Sequence, residues 1–76
     1  MQEAAILQLM SNVFGVPVSA LSASSKRESV DGWDSLAHIH FVVALEAEAN
    51  VSFTPDEAIA LDSVDAIVRA LRAKGR

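Results

Sequence analysis

Apolar residues recur at helical spacing along most of this chain, and the alternation of a β-strand occurs nowhere in it. Ile6, Leu9, Met10, Val13 and Phe14 fall at i, i+3, i+4, i+7 and i+8, one stripe of an amphipathic α-helix. Gly15 and Pro17 stop that stripe, so a helix is expected over residues 2–14. A second begins after Asp34, whose carboxylate suits the free N–H groups of a first turn. Leu36, Ile39, Val42, Val43 and Leu45 give it a broad apolar face over 35–49, and Asn50 suits a left-handed residue at its end. Thr54, Pro55 and Glu57 form a capping box with proline in the first turn, opening a short helix over 55–60. Asp62 or Ser63 caps the last, over 63–74, with Val64, Ile67, Val68 and Leu71 on one face. Arg72 and Lys74 in its final turn complement the helix dipole. The expected fold is all-α: a four-helix bundle in one domain over residues 1–76, with a short third helix.

Between the first two helices lies "GVPVSALSASSKRESVDGW", residues 15–33. A connection longer than about 12–15 residues in a compact domain usually serves a function. Val18, Leu21, Val30 and Trp33 are its candidates for anchoring to the core. Trp33 precedes the cap, where an apolar side chain packs on the fourth helical residue as a staple. That residue is His38, a poor apolar partner. Trp33 is therefore expected to fold back on Val30 or Leu21, or to reach Phe53.

With 76 residues, the chain has little room for a deep catalytic cleft. It contains no cysteine, hence no disulfide and no thiolate metal site. Residues 28–68 hold nine acids and no lysine or arginine, while four of the six basic residues occupy positions 69–76. Such a surface repels nucleic acid and attracts a basic patch on a protein partner. No apolar run approaches the roughly 20 residues of a membrane span, and the N-terminus lacks the features of a signal peptide. A cytoplasmic monomer is expected.

The chemistry centres on "GWDSLAHIH", residues 32–40. Asp-Ser-Leu resembles part of the signature of one lipase-like hydrolase family. A nucleophilic serine, however, needs a base within reach and a group that orients the base. His38 and His40 share the helix with Ser35, and no strand–turn–helix elbow is present. The two histidines are also wrongly spaced for a metal pair, which on a helix wants i and i+4. Ser35 can be a second capping residue beside Asp34. It also stands where free N–H groups and the helix dipole favour an anion, a natural seat for a phosphate ester.

The chain as a whole resembles an acyl carrier protein. Asp34–Leu36 matches that family's Asp-Ser-Leu motif at the start of a helix continuing "HIHFVVALEAE", and "SFTPDEAIALDSVDAIVRAL" matches its short third and its fourth helix. The resemblance implies that Ser35 carries 4'-phosphopantetheine through a phosphodiester, with Asp34 beside it. It further implies a protein that is not an enzyme and that carries acyl groups as thioesters for fatty-acid-like, polyketide or other specialised biosynthesis. The implied partners are a phosphopantetheinyl transferase, an acyl-loading ligase or acyltransferase, and ketosynthase-like or other acyl-transfer enzymes. They are expected to read Leu36, His40, Glu46 and Glu48 on the second helix. Trp33 stands where many fatty-acid carriers have a small residue, and Ala37 and His40 stand where they usually have acids. The Trp-Asp-Ser-Leu form is similar to that of stand-alone carriers of specialised pathways. Peptidyl or aminoacyl carriage is the alternative within the family. A small acidic interaction domain without a prosthetic group is the alternative outside it.

Overall fold

The computed structural model describes residues 1–76. Four helices follow one another with no strand between them: α1 (Glu3–Phe14), α2 (Ser35–Ala49), α3 (Pro55–Ile59) and α4 (Val64–Ala73). The expected all-α bundle with a short third helix is therefore the observed architecture. Local chemistry sets the helix ends. Gly15 adopts φ 71° and returns its N–H to Ser11 O, closing α1. Asn50 does the same for α2 at φ 55°, bonding Glu46 O. Thr54 and Glu57 exchange both bonds of the capping box at the start of α3. Of the two candidate caps for α4, Ser63 is the one used, accepting from Ala66 N–H at 3.0 Å.

One core joins the helices. Ile6, Met10 and Phe14 of α1 meet Phe41, Val42, Leu45 and Ala49 of α2, with Leu61, Val64, Ile67 and Leu71 closing the other side. Burying a large apolar side chain contributes about 1.5–3 kcal/mol, and eight of these side chains are essentially inaccessible.

The face expected for α2 needs correction. Val42 and Leu45 are buried, but Leu36, Ile39 and Val43 are 64%, 59% and 61% exposed. The inward face is instead His38, Phe41, Val42, Leu45 and Ala49. This helix is apolar around most of its circumference, so periodicity could not select the buried side. The aromatic ring at position 41 and the polar ring at position 38 decided it.

The first connection is not structureless. It contains two 3-10 turns, Val18–Ala20 and Arg27–Ser29. Leu21 and Trp33 are buried and Val30 packs against the core, but Val18 is 44% exposed and anchors nothing. Two backbone devices fix the path. Lys26 pairs with Ser63 in an isolated antiparallel bridge, flanked by Arg27 N–H to Asp62 O at 2.9 Å and Val64 N–H to Ser25 O at 3.0 Å. Further on, Gly32 passes so close to the end of α1 that a β-carbon there would stand 2.6 Å from Phe14 O, and its φ is +83°. Only glycine meets both conditions without strain.

Candidate functional site

Ser35 is the first residue of α2 and is exposed. Asp34 caps the helix, its Oδ1 accepting from Ala37 N–H at 2.8 Å, so the hydroxyl of Ser35 is not needed as a cap. The hydroxyl bonds one side chain only: Arg27, which donates from Nη2 to Oγ at 3.1 Å. No base lies against it. His38, the candidate base, points into the core and is buried. An ester at Oγ would displace no packed atom, so the residues present fit a phosphate-linked group.

Beneath this helix start lies an aromatic stack. The Trp33 indole stacks on Phe14 with ring centroids 4.9 Å apart and tilts against Phe41 at 6.4 Å. Trp33 is 4% exposed, which makes it a packing residue. Phe53, one of the three neighbours expected for it, is not among its ring contacts, and His38, expected to be a poor partner, is instead a direct one. Trp33 Nε1–H donates to His38 Nδ1 at 2.9 Å, and the two rings stack at 6.1 Å. An imidazole serves at the staple position because it offers the buried indole both a flat face and an acceptor. With Nδ1 accepting, Nε2 carries the proton and donates to Ala58 O at 2.8 Å. One side chain thus ties the residue before the cap, α2 and α3 together. Both of its nitrogens are occupied, and no group of three potential ligands in the fold could hold a metal.

The four expected docking residues do not share one face. Leu36 and His40, one turn apart, look outward and are exposed. Glu46 lies to one side, half-buried, where its carboxylate accepts from Phe53 N–H at 2.8 Å and fixes the α2–α3 connection. Glu48 lies to the other, in a hollow with Met1, Ala5 and Leu9. Residues two apart on a helix point about 160° from each other. The apolar side chains that do flank Leu36 outward are Ile39 and Val43. Across from them Ile59 of α3 is 71% exposed. Between the two helices runs a shallow groove of about 230 Å³ lined by His38, Ile39, Val42, Val43, Ala58 and Ile59. Neither Arg27 nor Ile59 carries a local signal of this role in the sequence. Arg27 reaches Ser35 only through the folded connection, and Ile59 looks like a core residue until the short helix is placed.

Elsewhere on α3, Glu57 accepts from Thr54 N–H and from Lys74 Nζ, and the first of these, then the second, holds its carboxyl below the ordinary value of 4.5. Lys74 also lies over the Phe53 ring, 5.2 Å from its centroid. These contacts fasten α3 to the end of α4. No helix is long and apolar enough to cross a membrane.

A family model described as the phosphopantetheine attachment site matches residues 4–71. No curated protein matches the chain. The chain belongs to the phosphopantetheine-binding family, whose members are non-catalytic carriers that hold 4'-phosphopantetheine covalently on a serine and meet phosphopantetheinyl transferases and acyl-transfer enzymes.

Proposed function

We propose that this carrier holds acyl groups on a 4'-phosphopantetheine arm attached at Ser35, in fatty-acid-like, polyketide or other specialised biosynthesis. The observation that carries the reading is the placement of Ser35, exposed at the first residue of α2 with its hydroxyl outside the core and outside the cap. When bound, the arm supplies a terminal thiol that carries acyl groups as thioesters, and its tether raises the concentration of cargo at each partner enzyme. Asp34 keeps the helix start in place while Oγ is esterified. The free N–H groups and dipole of α2 favour the anion there.

Partners dock on the outward strip of Leu36, Ile39 and Val43, with His40 beside it and Ile59 facing it from α3. Glu48 and, in part, Glu46 set the field around that strip, and charge of this kind speeds encounter while leaving the complex weak enough to part. The groove between α2 and α3 offers an apolar chain an open seat. The partners are a phosphopantetheinyl transferase, a loading ligase or acyltransferase, and ketosynthase-like or other acyl-transfer enzymes.

The test is incubation of the full chain with coenzyme A and a broad-specificity phosphopantetheinyl transferase, followed by intact mass and peptide mapping. The expected gain lies on Ser35 and disappears in Ser35→Ala, which loses no more than about 1 kcal/mol of stability because Asp34 still caps α2. A gain that survives in Ser35→Ala refutes the assignment. Charging the loaded protein with acyl and with aminoacyl ligases then separates acyl from aminoacyl carriage.

A further inference from the structure

Arg27 and Ser35 are separated by eight positions, yet the guanidinium of one meets the hydroxyl of the other at 3.1 Å. The contact is built in from the backbone. Arg27 N–H is held by Asp62 O, the preceding residue is bridged to Ser63, and Ser25 O accepts from Val64 N–H. The turn Arg27–Ser29 is thereby fastened to the junction of α3 and α4 rather than left to move with the connection. The guanidinium is also uncommitted. The side-chain ion pairs of the protein are Arg69–Asp65 and Lys74–Glu57, and neither involves Arg27, although Glu28, Asp31 and Asp34 all stand near it in sequence. A group with five donors in a planar fork is poorly used on one neutral hydroxyl. Its geometry suits two oxygens of a phosphate at once. The need for a cation is local as well. The Asp34 carboxylate is held as the helix cap one residue before Ser35, so an anion added at Oγ enters a site that already carries negative charge.

Resting on the reading of Ser35 as the attachment point, we propose that Arg27 is a positioning residue for the arm. It binds the non-bridging oxygens of the phosphodiester at Ser35, offsets the repulsion from Asp34, and turns the root of the arm toward the Arg27–Ser29 turn. The carrier thus differs in stability and in the mobility of its arm before and after loading, through one side chain of the connection.

The experiment compares the full-length wild type with Arg27→Lys and Arg27→Gln, each before and after treatment with coenzyme A and a phosphopantetheinyl transferase. Intact mass and peptide mapping establish loading on Ser35 independently of every other readout. In the wild type, loading is expected to shift the Arg27 side-chain N–H resonances in 1H–15N spectra and slow their exchange with water. In loaded Arg27→Gln the 31P resonance moves from its wild-type position. Relative to its own unloaded form, loaded Arg27→Gln melts about 2–6 °C lower than the wild type does, the size expected of an exposed charge pair in a small domain. That gap narrows as salt rises, and Arg27→Lys recovers part of it. Arg27 resonances that stay unmoved in fully loaded wild type overturn the proposal whatever the variants do. A wild type that gains no mass on Ser35 overturns the parent reading, and this one with it.

Discussion

Replacing His38 with alanine removes the acceptor of a buried indole N–H and the donor to Ala58 O in one step. Trp33 and His38 are 4% and 7% exposed, so water has poor access to the orphaned Trp33 Nε1–H. Leaving one such donor unsatisfied costs about 1–3 kcal/mol. The lost ring leaves a void against Trp33, and the combined cost comes to about 2–4 kcal/mol. A domain of this size has roughly 4–11 kcal/mol in all. At about 4–8 °C per kcal/mol, His38→Ala should melt roughly 10–25 °C below the wild type, followed by far-ultraviolet circular dichroism. A double-mutant cycle isolates the hydrogen bond from the ring. His38→Phe keeps a ring of similar breadth but no acceptor, and Trp33→Phe removes the donor. The cost of His38→Phe should therefore be distinctly smaller in the Trp33→Phe background than in the wild type. Wild-type tryptophan emission should be blue-shifted and resist iodide, and in His38→Ala it should move toward the red. A melting temperature of His38→Ala within about 2 °C of wild type, or equal costs in both backgrounds, would refute the reasoning.

Gly32→Ala should destabilise by about 1–3 kcal/mol, because the new β-carbon meets Phe14 O at 2.6 Å in a backbone conformation of φ +83°; chemical denaturation measures it. Glu57 has its carboxyl lowered in the fold by the Thr54 N–H and by Lys74. Its contribution is therefore present above the ordinary carboxylate value and is lost as pH falls through the folded value. Glu57→Gln should thus melt below the wild type at neutral pH, and the two should converge on acidification below the ordinary value of 4.5. Glu48→Lys should slow phosphopantetheine transfer at low salt, with the defect shrinking as salt rises. Glu46→Ala should by contrast lower stability by about 1–3 kcal/mol, because it leaves the part-buried Phe53 N–H without its acceptor.

The helices were legible in the sequence because their signals are local. Gly15, Asp34, Asn50 and the Thr54–Glu57 box act on backbone groups within four residues, so their meaning survives without knowledge of the fold. Ser35 stands out locally too, by its place at a helix start, but position alone leaves it a cap or a seat for an anion, and its reading as the attachment point comes from the resemblance to the carrier family. Other features depended on what came to lie beside them. The buried side of α2 could not be read from a helix apolar nearly all round. It was chosen by how Phe41 and His38 fit against Phe14 and Trp33. Glu46 looked like a surface acid until the turn after α2 brought Phe53 N–H to it. Arg27 looked like one of two basic residues in a serine-rich connection. The bridge from Lys26 to Ser63 and the bond from Arg27 to Asp62 are what carry it to Ser35. Propensity and capping are properties of a short stretch of chain, whereas the partner of a side chain is set by the packing of segments far apart in sequence.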